Sequence, residues 1–216
     1  EITTQTSDPS AELKNDRREI FGWLTYDWAN SAFFTTVVTV LAGPYLTALA
    51  QGDVGKGGVV LGLGPFGSIT SDNLFTSTLG ASIFLQIFLL PILGSIADFT
   101  PLKKRMMAVF CYVGVISSSF LFFVHGSSYL WGCLFLLISN ICFAASNVFY
   151  NSFLVDITTE DKRDKISSYG YASGYVGGLI MLFVNLALIN FGDKIGIDKG
   201  LEVLRAWGFQ YKSNLV

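Results

Sequence analysis

The sequence predicts an all-α membrane protein with five membrane-spanning helices, and three observations carry that prediction. Charged residues make up only 14% of the 216 residues, while 51% are apolar and 15% aromatic; soluble domains average about a quarter charged. Mean hydropathy is +0.52. The charges are also segregated: windows 28–52, 73–97, 106–155 and 166–192 hold no Asp, Glu, Lys or Arg, over 25, 25, 50 and 27 residues. A helix crosses the hydrocarbon core with about 20 mainly apolar residues, so the windows accommodate one, one, two and one spans. With a net charge of −2 and no long basic run, the composition excludes a nucleic-acid binder and a soluble enzyme.

Residues 1–22 form a polar leader expected in the cytoplasm, with Lys14, Arg17 and Arg18 close to the first span. The bundle occupies 23–192. Its first helix is predicted over about 23–49, with Pro44 near its far end. The glycine-rich stretch 51–72 reads as a flexible connector, since no Gly-Lys-Ser/Thr follows its glycines and a phosphate cradle needs one. The second helix covers about 75–97, interrupted by Pro91, and 98–105 is a tight polar turn. The third covers about 106–124, a four-residue turn follows, and the fourth covers 129–153. Residues 156–165 make a second charged turn before the fifth helix, 168–191. Short turns of this kind force antiparallel neighbours. Cys111, Cys133 and Cys142 lie within the 50-residue window without Cys-x-x-Cys spacing and read as small buried residues. Residues 193–216 read as a truncated or non-native sixth-helix region, and a chain beginning with Glu reads as part of a longer one.

Orientation follows from Lys and Arg. The leader, the first charged turn (Lys103, Lys104, Arg105) and the second (Lys162, Arg163, Lys165) hold nine, against Lys56 alone in the opposite-side loops. The tail beyond the fifth span, which alternation also puts on that side, carries Lys194, Lys199, Arg205 and Lys212. The loop bias places the amino terminus and both charged turns in the cytoplasm.

Polar side chains inside a span are costly and need a partner or water, so the exceptions mark candidate sites. Asp27, Asn30, Ser31 and Phe34 follow i, i+3, i+4, i+7 spacing and share one helix face. Either Asp27 caps the helix at the interface or this face lines a water-filled cavity. In the fourth span Asn140, Asn147 and Asn151, with Ala144, form a stripe that reads equally as interhelical hydrogen bonding or as a binding surface. Gly170, Gly174, Gly177 and Gly178 in the fifth span permit close helix packing. At the cytoplasmic end, Gly94 allows close helix contact and Asp98 is followed by Lys103 and Lys104. An acid so placed can latch that side closed against a helix terminus or a cation such as Arg163, while Asp156 and Glu160 can meet the Lys103–Arg105 cluster, with the pairing left open by spacing.

Four segments resemble known families. The run from Gly94 through Asp98 to Lys103 is similar to the signature of the major facilitator superfamily, Gly-x-x-x-Asp-x-x-Gly-Arg-Lys/Arg, with Pro101 and Leu102 departing from it. The run from Tyr26 to Phe33 (Tyr-Asp-Trp-Ala-Asn-Ser-Ala-Phe), Phe149 to Ile157 and Ser167 to Tyr175 resemble the autophagy-related vacuolar amino-acid effluxer family and its bacterial relatives. The resemblance implies a twelve-helix carrier, of which these five helices belong to the six-helix N-terminal half, with helices 1 and 4 lining a central cavity.

The expectation is a secondary active transporter of a small polar solute, amino acids included, that works by alternating access. Asp27 would bind a solute amine or a proton, while Asn30, Phe34, Asn140, Asn147 and Asn151 line the cavity. Gly94, Asp98, Lys103, Lys104, Asp156 and Arg163 would form the cytoplasmic gate. The expected partners are the lipid bilayer, the solute, protons and the C-terminal half of the same carrier. No nucleic acid, cofactor, metal or catalytic residue is expected. The membrane would be the plasma membrane in a bacterium or the vacuolar membrane in a fungus. The alternative is a non-transporting interaction or regulatory protein, or an inactive carrier fragment. An intramembrane enzyme has little support, because His125 is the sole histidine and lies in an outer turn.

Overall fold

A computed structural model describes residues 14–62, 64–99 and 101–191. The first thirteen residues of the leader and the tail 193–216 lie outside the described residues. Within them are five helices long and apolar enough to cross a membrane. They are α1 (Arg17–Val54), α2 (Leu74–Phe99), α3 (Lys103–Phe120), α4 (Tyr129–Ile157) and α5 (Glu160–Phe191).

α1 begins earlier than the charge-free window suggests. The Asp16 carboxylate accepts from the Arg18 N–H at 2.8 Å and so caps the helix, satisfying a donor that would otherwise have no intrahelical partner. Between Phe34 and Ala42 the helix widens into π geometry, then returns to α geometry over Gly43–Val54. Pro44 has no N–H to give to the carbonyl four residues back, and the wider turn stands directly before it.

The connector after α1 is more ordered than its glycines suggest. Val59–Gly62 (β1) and Ser68–Thr70 (β2) pair antiparallel, with Val59 opposite Thr70 and Gly62 opposite Ser68. Gly64 and Gly67 turn the hairpin at φ 59° and 97°, a region where an L side chain is strained. Ser71 is buried, and its hydroxyl donates to the Gly55 carbonyl at 2.8 Å. This fastens the hairpin's return to the end of α1.

Pro91 lies inside α2 without ending it; a membrane helix tolerates proline where neighbours and local adjustment satisfy the freed carbonyl. The second charged turn is shorter than the sequence suggests. Only Thr158 and Thr159 separate α4 from α5, and Glu160 and Asp161 already occupy the first turn of α5. Carboxylates there complement the positive end of the helix dipole.

α4 is the centre of the bundle. Of its apolar window 44% is buried, against 6% for that of α3, so α3 is peripheral. α4 packs along α2 and α3, while α1 packs along α5. Between α2 and α4, Leu93, Ala97, Ala145 and Phe149 form a buried cluster. Trp23 of α1, Tyr150 of α4 and Ile166 of α5 form a second cluster on a neighbouring face of α4. The Trp23 and Tyr150 rings stack at 4.5 Å, and the Trp23 indole N–H donates to the Tyr150 carbonyl at 3.0 Å.

Small residues set the helix spacing, as expected where the hydrophobic effect gives no drive between helices and close packing must supply it. A Cβ on Gly114 of α3 would come within 3.2 Å of Cys142 Cβ on α4. A Cβ on Gly132 of α4 would stand 2.6 Å from Leu46 of α1.

Candidate functional site: a cavity between α1, α4 and α5

The α1 face identified from spacing opens onto a cavity of about 460 Å³, within the range typical of small-molecule sites. α1 contributes Asp27, Asn30, Ser31, Phe34 and Thr35; α4 contributes Phe143 and Asn147. α5 supplies Tyr171, Gly174, Tyr175 and Gly178, with Leu179 and Leu182 farther along. The cavity exists because the last glycines of α5 bring its backbone against α1 while α4 crosses behind both.

Across the cavity wall the Asn30 amide donates to Asn147 Oδ1 at 2.7 Å. One bond therefore joins α1 to α4 and fixes the orientation of both amides, leaving the Asn30 oxygen and the Asn147 NH₂ group for other partners. Asp27 differs. It is half-buried in the wall, and among the described residues its carboxylate makes no hydrogen bond and no ion pair.

The fourth-span stripe divides among three surroundings. Asn147 lines the cavity, whereas Asn140 turns to α2 and donates to Ser82 Oγ at 2.7 Å. Asn151 is exposed and lines no part of the cavity. Their angular positions agree, but Asn140 and Asn147 stand about 10 Å apart along the axis, and different helices cross α4 at those heights.

The α5 glycines all meet α1. A Cβ on Gly170 would lie 2.5 Å from the Trp23 ring, and one on Gly174 would lie 2.7 Å from both Asp27 Oδ2 and Ser31 Oγ. One on Gly177 would overlap the Trp28 carbonyl, and one on Gly178 would lie 2.7 Å from Thr35 Oγ1. Two hydrogen bonds reinforce this seam: Ser173 Oγ to the Leu24 carbonyl at 3.1 Å, and the Asn185 amide to Thr36 Oγ1 at 2.8 Å. Gly174 and Gly178 are thus both packing residues and cavity wall.

At the charged end, Lys103 Nζ pairs with Asp156 Oδ2 at 2.7 Å and joins the start of α3 to the end of α4. It is the one salt bridge among the described residues. The other gate candidates do not join it. Asp98 and Lys104 are exposed, a Cβ on Gly94 would meet nothing within 4 Å, and Arg163 is half-buried with its Nε unpartnered.

Sequence reasoning missed a second fastening at this end. Asn15 adopts φ 71°, and its amide donates to Thr159 Oγ1 at 3.0 Å while its oxygen accepts from the Thr159 N–H at 3.3 Å. The Asn15 N–H donates to the Ile157 carbonyl at 2.8 Å. Nothing in the sequence spacing links residues 144 positions apart. Tyr171 and Tyr175 were also missed as lining residues, although their i, i+4 spacing, interleaved with Gly174 and Gly178, carries the signal.

The family described as "Vacuole effluxer Atg22 like" matches residues 15–202. A Bacillus subtilis protein named "Uncharacterized MFS-type transporter YxiO" is 35% identical over 179 residues, covering 82% of this chain and 39% of that protein. Autophagy-related protein 22 of Neurospora crassa is 27% identical over 184 residues, covering 74% of this chain and 24% of that protein. Autophagy-related protein 22-1 of Aspergillus niger is 38% identical over 77 residues, covering 36% and 12%. The chain therefore spans about two fifths of the length of the Bacillus relative and less of the fungal ones. No solved structure matches it significantly.

Proposed function

The chain belongs to the Atg22-like vacuole effluxer family, and on that footing we propose that it forms part of a secondary carrier for a small polar solute, amino acids among them. One observation carries the reading. Asp27, an ionisable group within a membrane span, sits in a cavity wall with no hydrogen-bond or ion-pair partner among the described residues. Such a group is expensive in a bilayer unless water, a proton or a ligand satisfies it.

Asp27 holds a solute amine or a proton. The free polar atoms of Asn30 and Asn147 hydrogen-bond the solute, and Phe34 walls it. In alternating access, two halves of a carrier rock about a site near the membrane midplane; five helices cannot enclose such a site from both sides, so the facing wall comes from a second half. The amino terminus and the Lys103–Asp156 end lie in the cytoplasm, as the bias of Lys and Arg supports. The ion pair closes that side in one state, with Gly94, Asp98, Lys104 and Arg163 meeting partners in the other half. The glycine-lined α1–α5 seam (Gly170, Gly174, Gly177, Gly178) is smooth enough to shift as the gate opens. Asn140 and Asn151 lie outside the cavity and have no role in solute contact.

The test is transport by the intact protein in proteoliposomes, screened with amino acids, nucleosides and sugars. Asp27→Asn is expected to abolish solute movement while expression and melting temperature hold. Unchanged transport would remove Asp27 from the mechanism, and an intact protein that moves no solute at all would overturn the carrier reading.

A further inference from the structure

The cavity is polarised along its length, and this deepens the carrier reading on which it rests. At one end stands Asp27, the only charged side chain among the described lining residues; no Lys, Arg or His joins it there. Gly174 lies directly beside the carboxylate, and Tyr171 and Tyr175, three residues before and one after Gly174, line the same wall. Both tyrosines are largely exposed, Tyr175 by 79%, so their rings are available to a guest. At the other end the lining turns mainly apolar, with Thr35 the polar exception. Phe34 is seven residues beyond Asp27, about 10 Å along the helix, and its ring stacks with Phe143 at 6.1 Å. Leu179 and Leu182 of α5 complete that end.

A lone carboxylate beside aromatic rings is a site for a cation, because the ring faces carry negative potential and the acid supplies the counter-charge. A solute carboxylate finds no cation here. Between the ends, the Asn30 oxygen can accept and the Asn147 NH₂ group can donate hydrogen bonds to a guest. We infer that this half of the cavity takes an amphipathic amine, with its ammonium at Asp27 between Tyr171 and Tyr175 and its apolar body along Phe34, Phe143, Leu179 and Leu182. A carboxylate on the solute is not required by this wall.

Three probes separate the features: phenethylamine carries both ammonium and apolar body, 3-phenylpropionate has the body with an anionic head, and ethanolamine has the ammonium without the body. Binding is read with the intact protein as a ligand-dependent melting shift, which grows with ligand concentration over Kd. Phenethylamine is expected to bind best. Ethanolamine should be at least about tenfold weaker for want of apolar burial. 3-Phenylpropionate should be about 10- to 100-fold weaker, the scale of one lost charge-assisted hydrogen bond. Asp27→Asn should erase the preference for the amine over the acid. Leu182→Asn should weaken phenethylamine while leaving ethanolamine unchanged.

Equal binding of the acid and the amine, an undiminished preference in Asp27→Asn, or no shift with any of the three would overturn the assignment. Saturable, Asp27-dependent transport of an anionic or uncharged solute would overturn it too, while leaving the carrier reading intact. Failure of the intact protein to transport anything overturns the carrier reading instead.

Discussion

A methyl group placed on Gly174 would stand 2.7 Å from Asp27 Oδ2. The candidate binding acid and the helix-packing glycine are therefore one contact, and the seam between α1 and α5 sets the space beside the carboxylate. The seam's two kinds of neighbour predict different outcomes. Gly174→Ala meets side-chain atoms that can rotate away, whereas Gly177→Ala meets the Trp28 backbone carbonyl, which cannot. Overpacking costs about 1–3 kcal/mol, so Gly177→Ala should lower the melting temperature more than Gly174→Ala. Gly22→Ala, with nothing within 4 Å, should leave it unchanged or slightly raised, since alanine is the better helix former.

The Asn30–Asn147 bond joins α1 to α4 inside the membrane. Asn30→Ala and Asn147→Ala should each destabilise, and the double variant should cost less than their sum. Coupling energies for polar pairs in membrane proteins average about 0.6 kcal/mol. Reversible unfolding in mild detergent, run as a double-mutant cycle, reads this value; strict additivity would mean the two amides act independently.

Lys103 and Asp156 differ in exposure, with side chains 17% and 50% accessible. A pair this open to solvent contributes about 0.2–1 kcal/mol. Lys103→Ala should therefore barely move stability, yet as a gate element it should change the transport rate. Restoration of that rate by the exchange Lys103→Asp with Asp156→Lys would identify charge pairing as the cause, whereas a rate indifferent to both changes would exclude the pair from the gate.

Asn15 holds the leader against the α4–α5 junction from a left-handed backbone conformation, which asparagine and glycine tolerate better than other residues. Asn15→Gly keeps the backbone and loses the side-chain bonds; Asn15→Ala loses the bonds and adds about 1–2 kcal/mol of strain. Hydrogen exchange at the Thr159 amide should quicken in that order, wild type slowest and Asn15→Ala fastest. Equal rates in all three would mean the junction holds without the leader.

The five spans were legible in the sequence because a bilayer imposes one local requirement. Each crossing needs a charge-free stretch about 20 residues long with its backbone bonds closed inside the helix, and composition records that directly. The Asp27, Asn30, Ser31 and Phe34 face was legible for the same reason, since residues on one helix share a face by arithmetic alone. The hairpin was not, because its strands are three and four residues long and its glycines look the same in a turn as in a floppy linker. Tertiary structure decided the rest: that Asn147 meets Asn30 while Asn140, two turns away, meets Ser82, that the α5 glycines pack against α1 with Gly174 beside Asp27, and that Lys103 chooses Asp156. Each of these depends on where one helix crosses another, and a crossing is set by the fit of both surfaces, which no single helix contains.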